Sequence, residues 1–254
     1  MRKAILISAL AAIVGAGFIA VAAAGGDQAR AFDVRAANGK TQRASTVHYT
    51  VLVQMTKHRR PLTLHIAGAA SRDSVSVHLR LGGLDLKDGT KLPGTTGALV
   101  LSTPFLYESA PGGIAVFGKV RWLRLQVDGM SSRSQAMSTL NALTPAPLLH
   151  IVAESRLRPT GTNGGFAGPV HYDDPVVRTA LQALGGGLEF RGLQLFVHVG
   201  RDGRIDTVRM TGHTADGKTH LALHARFFAF GAPVKVVVPK PGTFMDLHLS
   251  RLQA

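Results

Sequence analysis

The sequence predicts an α+β fold in which one curved antiparallel sheet carries helices on one face. Three observations predict it. Apolar residues alternate with a period of two from Ser45 to Leu81 and again after Gly187, and Asp-Gly turns join the later strands. From Met130 to Gly187 the chain has few β-branched residues and gains helix caps and stops.

The first residues, "MRKAILISALAAIVGAGFIAVAAAGG", set Arg2 and Lys3 before an uncharged apolar run from Ala4 to Ala24. This is the pattern of an export signal. Ala22 with Ala24, or Ala29 with Ala31, suits a signal-peptidase site, and the run also reaches the roughly 20 residues that span a bilayer. A cleaved signal peptide and a retained N-terminal membrane anchor are both open. The expected organisation is a leader over 1–31 and one domain over 32–254, long enough for a sizeable core. The domain is expected outside the cytoplasm, secreted or in the cell envelope.

In "TVHYTVLVQ", Val47, Tyr49, Val51 and Val53 share one face. "LTLHIAG" sets Leu62, Leu64 and Ile66 against Thr63 and His65, and "SVSVHLRL" sets Val75, Val77, Leu79 and Leu81 against Ser74, Ser76, His78 and Arg80. Three consecutive amphipathic strands form an antiparallel meander. Turn-rich "GGLDLKDGTKLPGTTG" separates it from strands in "ALVLS", "GIAVFG" and "RWLRLQV". From Met130, "SSRSQAMSTLNALTPAPLLHIVAES" predicts two short helices meeting at the break of Pro145 and Pro147. In "YDDPVVRTALQALGGG", Asp174 caps a further helix, Pro175 takes its first position, and Gly185 to Gly187 end it. Val177, Ala180, Leu181 and Leu184 are its apolar stripe. "LQLFVHV", "IDTVRMTGH" and "THLALHARFFAF" then form a second meander through the turns Asp202-Gly203 and Asp216-Gly217. The chain end predicts a corner at Gly231 and Pro233, a second short strand through the valines, and an exit at Pro239 and Pro241.

The wording of that end, "FFAFGAPVKVVVPKPGTFMDL", resembles the LolA-like envelope proteins, particularly the actinobacterial LppX/LprG lipid-carrier family. The shared pattern is aromatics, "FG", "PV", alternating valines, a proline and a closing acid, here Asp246. "LFVHVGRDGRIDTVRM" resembles the family's strand, Asp-Gly turn, strand unit, and "RWLRLQV" followed by "LNALTPAPLLHIV" resembles its Trp strand leading into proline-interrupted helices. The resemblance implies an incomplete, strongly curved β-barrel with helices on its concave side and an apolar cavity for lipid tails. Many members carry a lipobox cysteine. This chain has no Cys, which removes triacyl anchoring together with disulfides and thiolate chemistry.

The formal charge of +14 is scattered, aromatics make up 6%, and no basic-aromatic motif appears, so nucleic acid is not expected. A solvated arginine-rich surface is the simplest account of this charge. An exported chain of this sign also meets anionic headgroups first, which makes a membrane surface an expected partner. The chain carries no G-x-S-x-G, H-E-x-x-H or phosphate-cradling loop, and no cofactor is expected. His220 and His224 share a strand face but stand about 13 Å apart, too far to share one ion, while His213 is placed to approach across the hairpin. No metal is expected. "HYDDP" groups His171, Asp173 and Asp174, but capping already accounts for Asp174.

What is left is apolar surface. Val51, Val53, Leu64, Ile66, Val77, Leu79, Leu195, Val197, Leu221 and Leu223 are the candidate cavity wall, facing Leu149, Val152, Leu181 and Leu184 from the helices. A dry packed core accounts for any one of them equally well. Arg80, Arg124 and Arg226 are candidates for holding anionic headgroups at the rim. The expectation is a monomeric, noncatalytic protein that binds a lipid or lipidated molecule and carries or presents it in the envelope. The alternative is a structural or sensory module of the same fold with a filled core, comparable to the sigma-factor regulators of LolA-like architecture. A large connected apolar cavity favours the first, and a packed interior with an exposed apolar groove favours the second.

Overall fold

The computed structural model describes residues 33–57, 60–71, 74–82, 84–85, 91–92, 94–109, 120–126, 144–160, 164–170, 175, 177–178 and 190–247. The leader, the strand expected in "GIAVFG", the helix expected before Pro145, and Asp174, Leu181 and Leu184 lie outside them. Pro175, Val177 and Arg178 are helical.

In chain order the described elements are α1 (Val34–Gln42), β1 (Thr46–Lys57), β2 (Arg60–Ser71), β3 (Ser74–Leu81), β4 (Leu84–Asp85), β5 (Lys91–Leu92), β6 (Thr95–Ser102), β7 (Phe105–Ser109) and β8 (Trp122–Gln126). They continue with α2 (Ala146–Glu154), β9 (Arg158–Pro159), β10 (Gly165–Pro169), β11 (Phe190–Val199), β12 (Ile205–Thr214), β13 (Thr219–Phe228) and β14 (Phe244–Leu247). Twelve strands form one sheet in the order β14-β8-β7-β6-β3-β2-β1-β13-β12-β11-β10-β9, and β4 with β5 makes a separate small hairpin. β14 and β9 are the two edges, so the sheet is an unclosed, incomplete barrel. Register shifts in the β11–β12 pairing add local bend.

Both expected meanders are present, β1-β2-β3 and β11-β12-β13, and β1 pairs antiparallel with β13, which fuses them into one surface. The chain end differs from expectation. Residues 234–238 form no strand, because Pro233, Pro239 and Pro241 interrupt the donors a ladder needs. Ala229 (φ 49°) and Gly231 (φ 82°) turn the chain as β13 ends, and the closing strand forms only at β14, which pairs parallel with β8. β7, the short strand β10 and the edge strand β9 are further additions to the sequence reading.

The helix α1 is also absent from that reading. Asn38 and Gly39 are poor mid-helix residues, and "DVRAANGKTQ" has no strong apolar stripe. Tertiary partners compensate. The Asp33 carboxylate accepts from the Arg35 amide at 2.9 Å as N-cap, the Asn38 side-chain amide donates to the Leu149 carbonyl at 2.9 Å, and the Thr41 hydroxyl accepts from the Ile205 amide at 2.8 Å. These bonds seat α1 between α2 and the β11–β12 part of the sheet. The core joins Leu148, Leu149, Ile151 and Val152 of α2 to strand residues from β1 to β13, so both helices cover the sheet's inner face.

Candidate functional site

The register assigns every inner-face residue to a cross-strand row. One row runs Leu79, Ile66, Val51, Ala225, Val208, Val197; the next runs Leu81, Leu64, Val53, Leu223, Met210, Leu195. Alternation in six strands thus produces a continuous apolar surface. Val51, Val53, Ile66, Val77, Leu149, Val152, Leu195, Val197, Leu221 and Leu223, all named from the sequence, are buried there, each at most 4% exposed.

Burial is uneven along this face. In β11 and β13, Leu193, Leu195, Leu221 and Leu223 are enclosed. Along the same rows toward β3, Leu79 and Leu81 of β3, Leu62 and Leu64 of β2, and Met55 of β1 are only half-buried. Leu81 pairs with Leu64 and Leu62 with Met55, so these five side chains are contiguous and run without a polar break into the packed core. Leu64 and Leu79 stand among the sequence-named wall residues. Met55, Leu62 and Leu81 do not, although the same alternation continues through them.

A further inner row begins at Leu123 and passes through Glu108, Leu99, Val77 and Gly68 to Tyr49. Two polar groups stand in it. The Tyr49 ring is fully buried and its hydroxyl has no hydrogen-bond partner; burial pushes the phenol's pKa well up. Gly68 is what admits the ring, because a Cβ there would lie 2.5 Å from the Tyr49 hydroxyl. Glu108 sits opposite Leu99 and Leu123, and burial raises its carboxyl's pKa.

The three candidate headgroup arginines are not brought together over this face. Arg80 and Arg226 are exposed on the outer face, with the opposite strand parity to Leu79 and Ala225. Arg124, also outward, is held in place. Its guanidinium makes a bidentate pair with Asp246 at 2.5 and 2.9 Å and lies 4.5 Å from the Phe105 ring centre and 4.3 Å from that of Phe244. Asp246, noted in the sequence as a closing acid, therefore fastens β14 to β8.

His213 faces His220 across the β12–β13 hairpin. Among the described residues no group of three or more His, Asp or Glu is placed to hold a metal ion. Nor is any described helix long and apolar enough to cross a membrane. A shallow cleft of about 360 Å³ between the start of α1 and the residues after α2 is lined by Asp33, Arg35, Ser155 and Arg156 with Val34, Leu157 and Phe166. Its charged lining does not suit an acyl chain.

No protein-family profile matches the sequence, and no curated protein is similar to it. Solved structures do align. LprF from Mycobacterium bovis is 11% identical over 81% of this chain and 94% of its own, with a TM-score of 0.42. The Mycobacterium tuberculosis lipoprotein LppX is 10% identical over 80% and 96%, with a TM-score of 0.36, and a LolA superfamily protein from Nitrosomonas europaea is 8% identical over 79% and 93%, at 0.27. The fold of this chain stands on its own strand order and register.

Proposed function

We propose that the protein is an extracytoplasmic, noncatalytic lipid-binding protein that holds acyl chains against the inner face of the open sheet and carries or presents them in the cell envelope. The observation that carries this reading is the partly buried corner formed by Met55, Leu62, Leu64, Leu79 and Leu81, continuous with the buried apolar rows. A chain of about 15 methylenes gains roughly 12 kcal/mol on leaving water, at ~0.8 kcal/mol per CH₂. An apolar wall with a mouth in it supplies the replacement for water. The apolar leader Ala4–Ala24 supports export.

The filled-core alternative draws on the near-complete burial of Leu195, Leu221 and Leu223. Paired tryptophan substitutions separate the two readings. Leu64→Trp fills the mouth, so uptake of a long-chain fluorescent fatty acid falls about ten-fold or more while stability changes by less than about 1 kcal/mol. Leu223→Trp, enclosed between Val53 and Met210, overpacks and costs about 1–3 kcal/mol. Wild-type protein that takes up no fatty acid, or a Leu64→Trp protein that takes it up unchanged, rules the lipid reading out.

A further inference from the structure

The outer face of the sheet has a composition unlike the rest of the chain. Across β3, β2, β1, β13, β12 and β11 there is one carboxylate, Asp206, and it is held by His198 at 2.8 Å. The register lines up a single outer row across all six strands: Arg80, His65, Leu52, His224, Arg209 and Phe196. Five inter-strand steps make this row about 24 Å long. The adjacent row carries His78 and Arg226. Arg80, Arg209 and Arg226 are all exposed, and the described residues give none of them an acidic partner.

Apolar side chains stand among these cations. Phe228, on the same face as Arg226, is 46% exposed beside the His48 ring, and Leu52 and Phe196 are half-buried within the charged row. A soluble acidic polymer is matched by charge alone. Cations interleaved with aromatic and aliphatic groups match the headgroup layer of a bilayer, which presents phosphate and, just beneath it, hydrocarbon.

We propose that this outer face docks the protein on an anionic lipid bilayer, whether or not the inner face is loaded. The probe is a set of vesicles, either neutral phosphatidylcholine or phosphatidylcholine with about one-third phosphatidylglycerol, sedimented with the full-length protein at about 0.05 M salt. Wild-type protein is expected to sediment only with the anionic vesicles and to be released at about 0.3 M salt. Each arginine at the surface is worth about a five-fold change in partitioning, so the triple variant Arg80→Gln, Arg209→Gln, Arg226→Gln loses on the order of one hundred-fold. A charge-matched control, Arg35→Gln, Arg156→Gln, Arg201→Gln, changes exposed arginines outside these rows and retains most binding. Equal urea midpoints for the two triples show that the loss is not unfolding. Equal loss in both, or equal sedimentation with neutral vesicles, overturns the proposal. So does a protein that leaves anionic vesicles in the supernatant but binds soluble polygalacturonate through these same arginines.

Discussion

Gly68→Ala puts the packing of the inner face to a direct test. Glycine inside a strand is ordinarily unfavourable, so on local grounds alanine should improve β2. The structure predicts the reverse. The added Cβ would sit 2.5 Å from the Tyr49 hydroxyl, 2.6 Å from its Cζ and 2.9 Å from the Ser76 carbonyl oxygen, where ordinary contact begins near 3.4 Å. The ring has to move by nearly 1 Å, yet it is fully buried, and the third neighbour is backbone. Overpacking of this kind costs about 1–3 kcal/mol, less about 0.4–1 kcal/mol recovered from the stiffer unfolded chain, leaving a net loss of about 1–2 kcal/mol. Urea unfolding at constant m-value measures it. Tyr49→Phe alone should be neutral or stabilising by up to about 1 kcal/mol, because the hydroxyl it deletes is buried without a partner. Combined with Gly68→Ala it should recover only part of the loss, since the Cζ contact stays. A Gly68→Ala protein as stable as wild type would refute the placement of Tyr49 across β2.

Glu108 supplies a pH prediction: its carboxyl is raised by burial, so the unfolded chain ionises first, and stability falls as pH rises from the ordinary value of 4.5 through the higher folded-state value. Glu108→Gln should therefore be more stable than wild type at neutral pH, with the difference vanishing below that window in thermal melts taken across pH. Arg124→Ala removes both the Asp246 pair and the stacking between Phe105 and Phe244; amide exchange at Phe244–Leu247 should then outpace exchange in β1, and unchanged protection would mean that β14 is held otherwise. Asn38→Ala breaks the buried bond to the Leu149 carbonyl and should cost about 1–3 kcal/mol in denaturant unfolding, while Gln42→Ala, exposed at the end of the same helix, should cost little.

The alternation of Val47, Tyr49, Val51 and Val53 made one face of β1 legible from sequence, and likewise for β2, β3 and the hairpins around Asp202-Gly203 and Asp216-Gly217. Period two assigns a side chain to a face but names no neighbouring strand. The pairing of β1 with β13, which turns two meanders into one wall, is a contact between residues such as Val51 and Ala225, far apart in sequence and carrying no local signal. α1 was hidden for the related reason that its stability comes from Leu149 and Ile205 rather than from its own residues. Arg124 read as a free cation because its partner, Asp246, arrives only after the proline-rich crossing to β14. The wall residues could be named but not ranked. Leu64 and Leu223 are equivalent in pattern, yet one is half-buried and the other enclosed, a difference set by tertiary packing rather than by strand alternation.

Native mass spectrometry of the purified protein, followed by solvent extraction, tests the lipid-binding reading most directly. A protein that holds acyl chains at the corner of Met55, Leu62, Leu64, Leu79 and Leu81 should fly partly as a complex whose added mass is released on extraction as acyl lipid, and Leu64→Trp should reduce that fraction while Arg156→Gln leaves it unchanged. A single peak at the mass of the bare polypeptide, persisting after incubation with lipid extract, would contradict the account and leave the sheet's interior as a packed core.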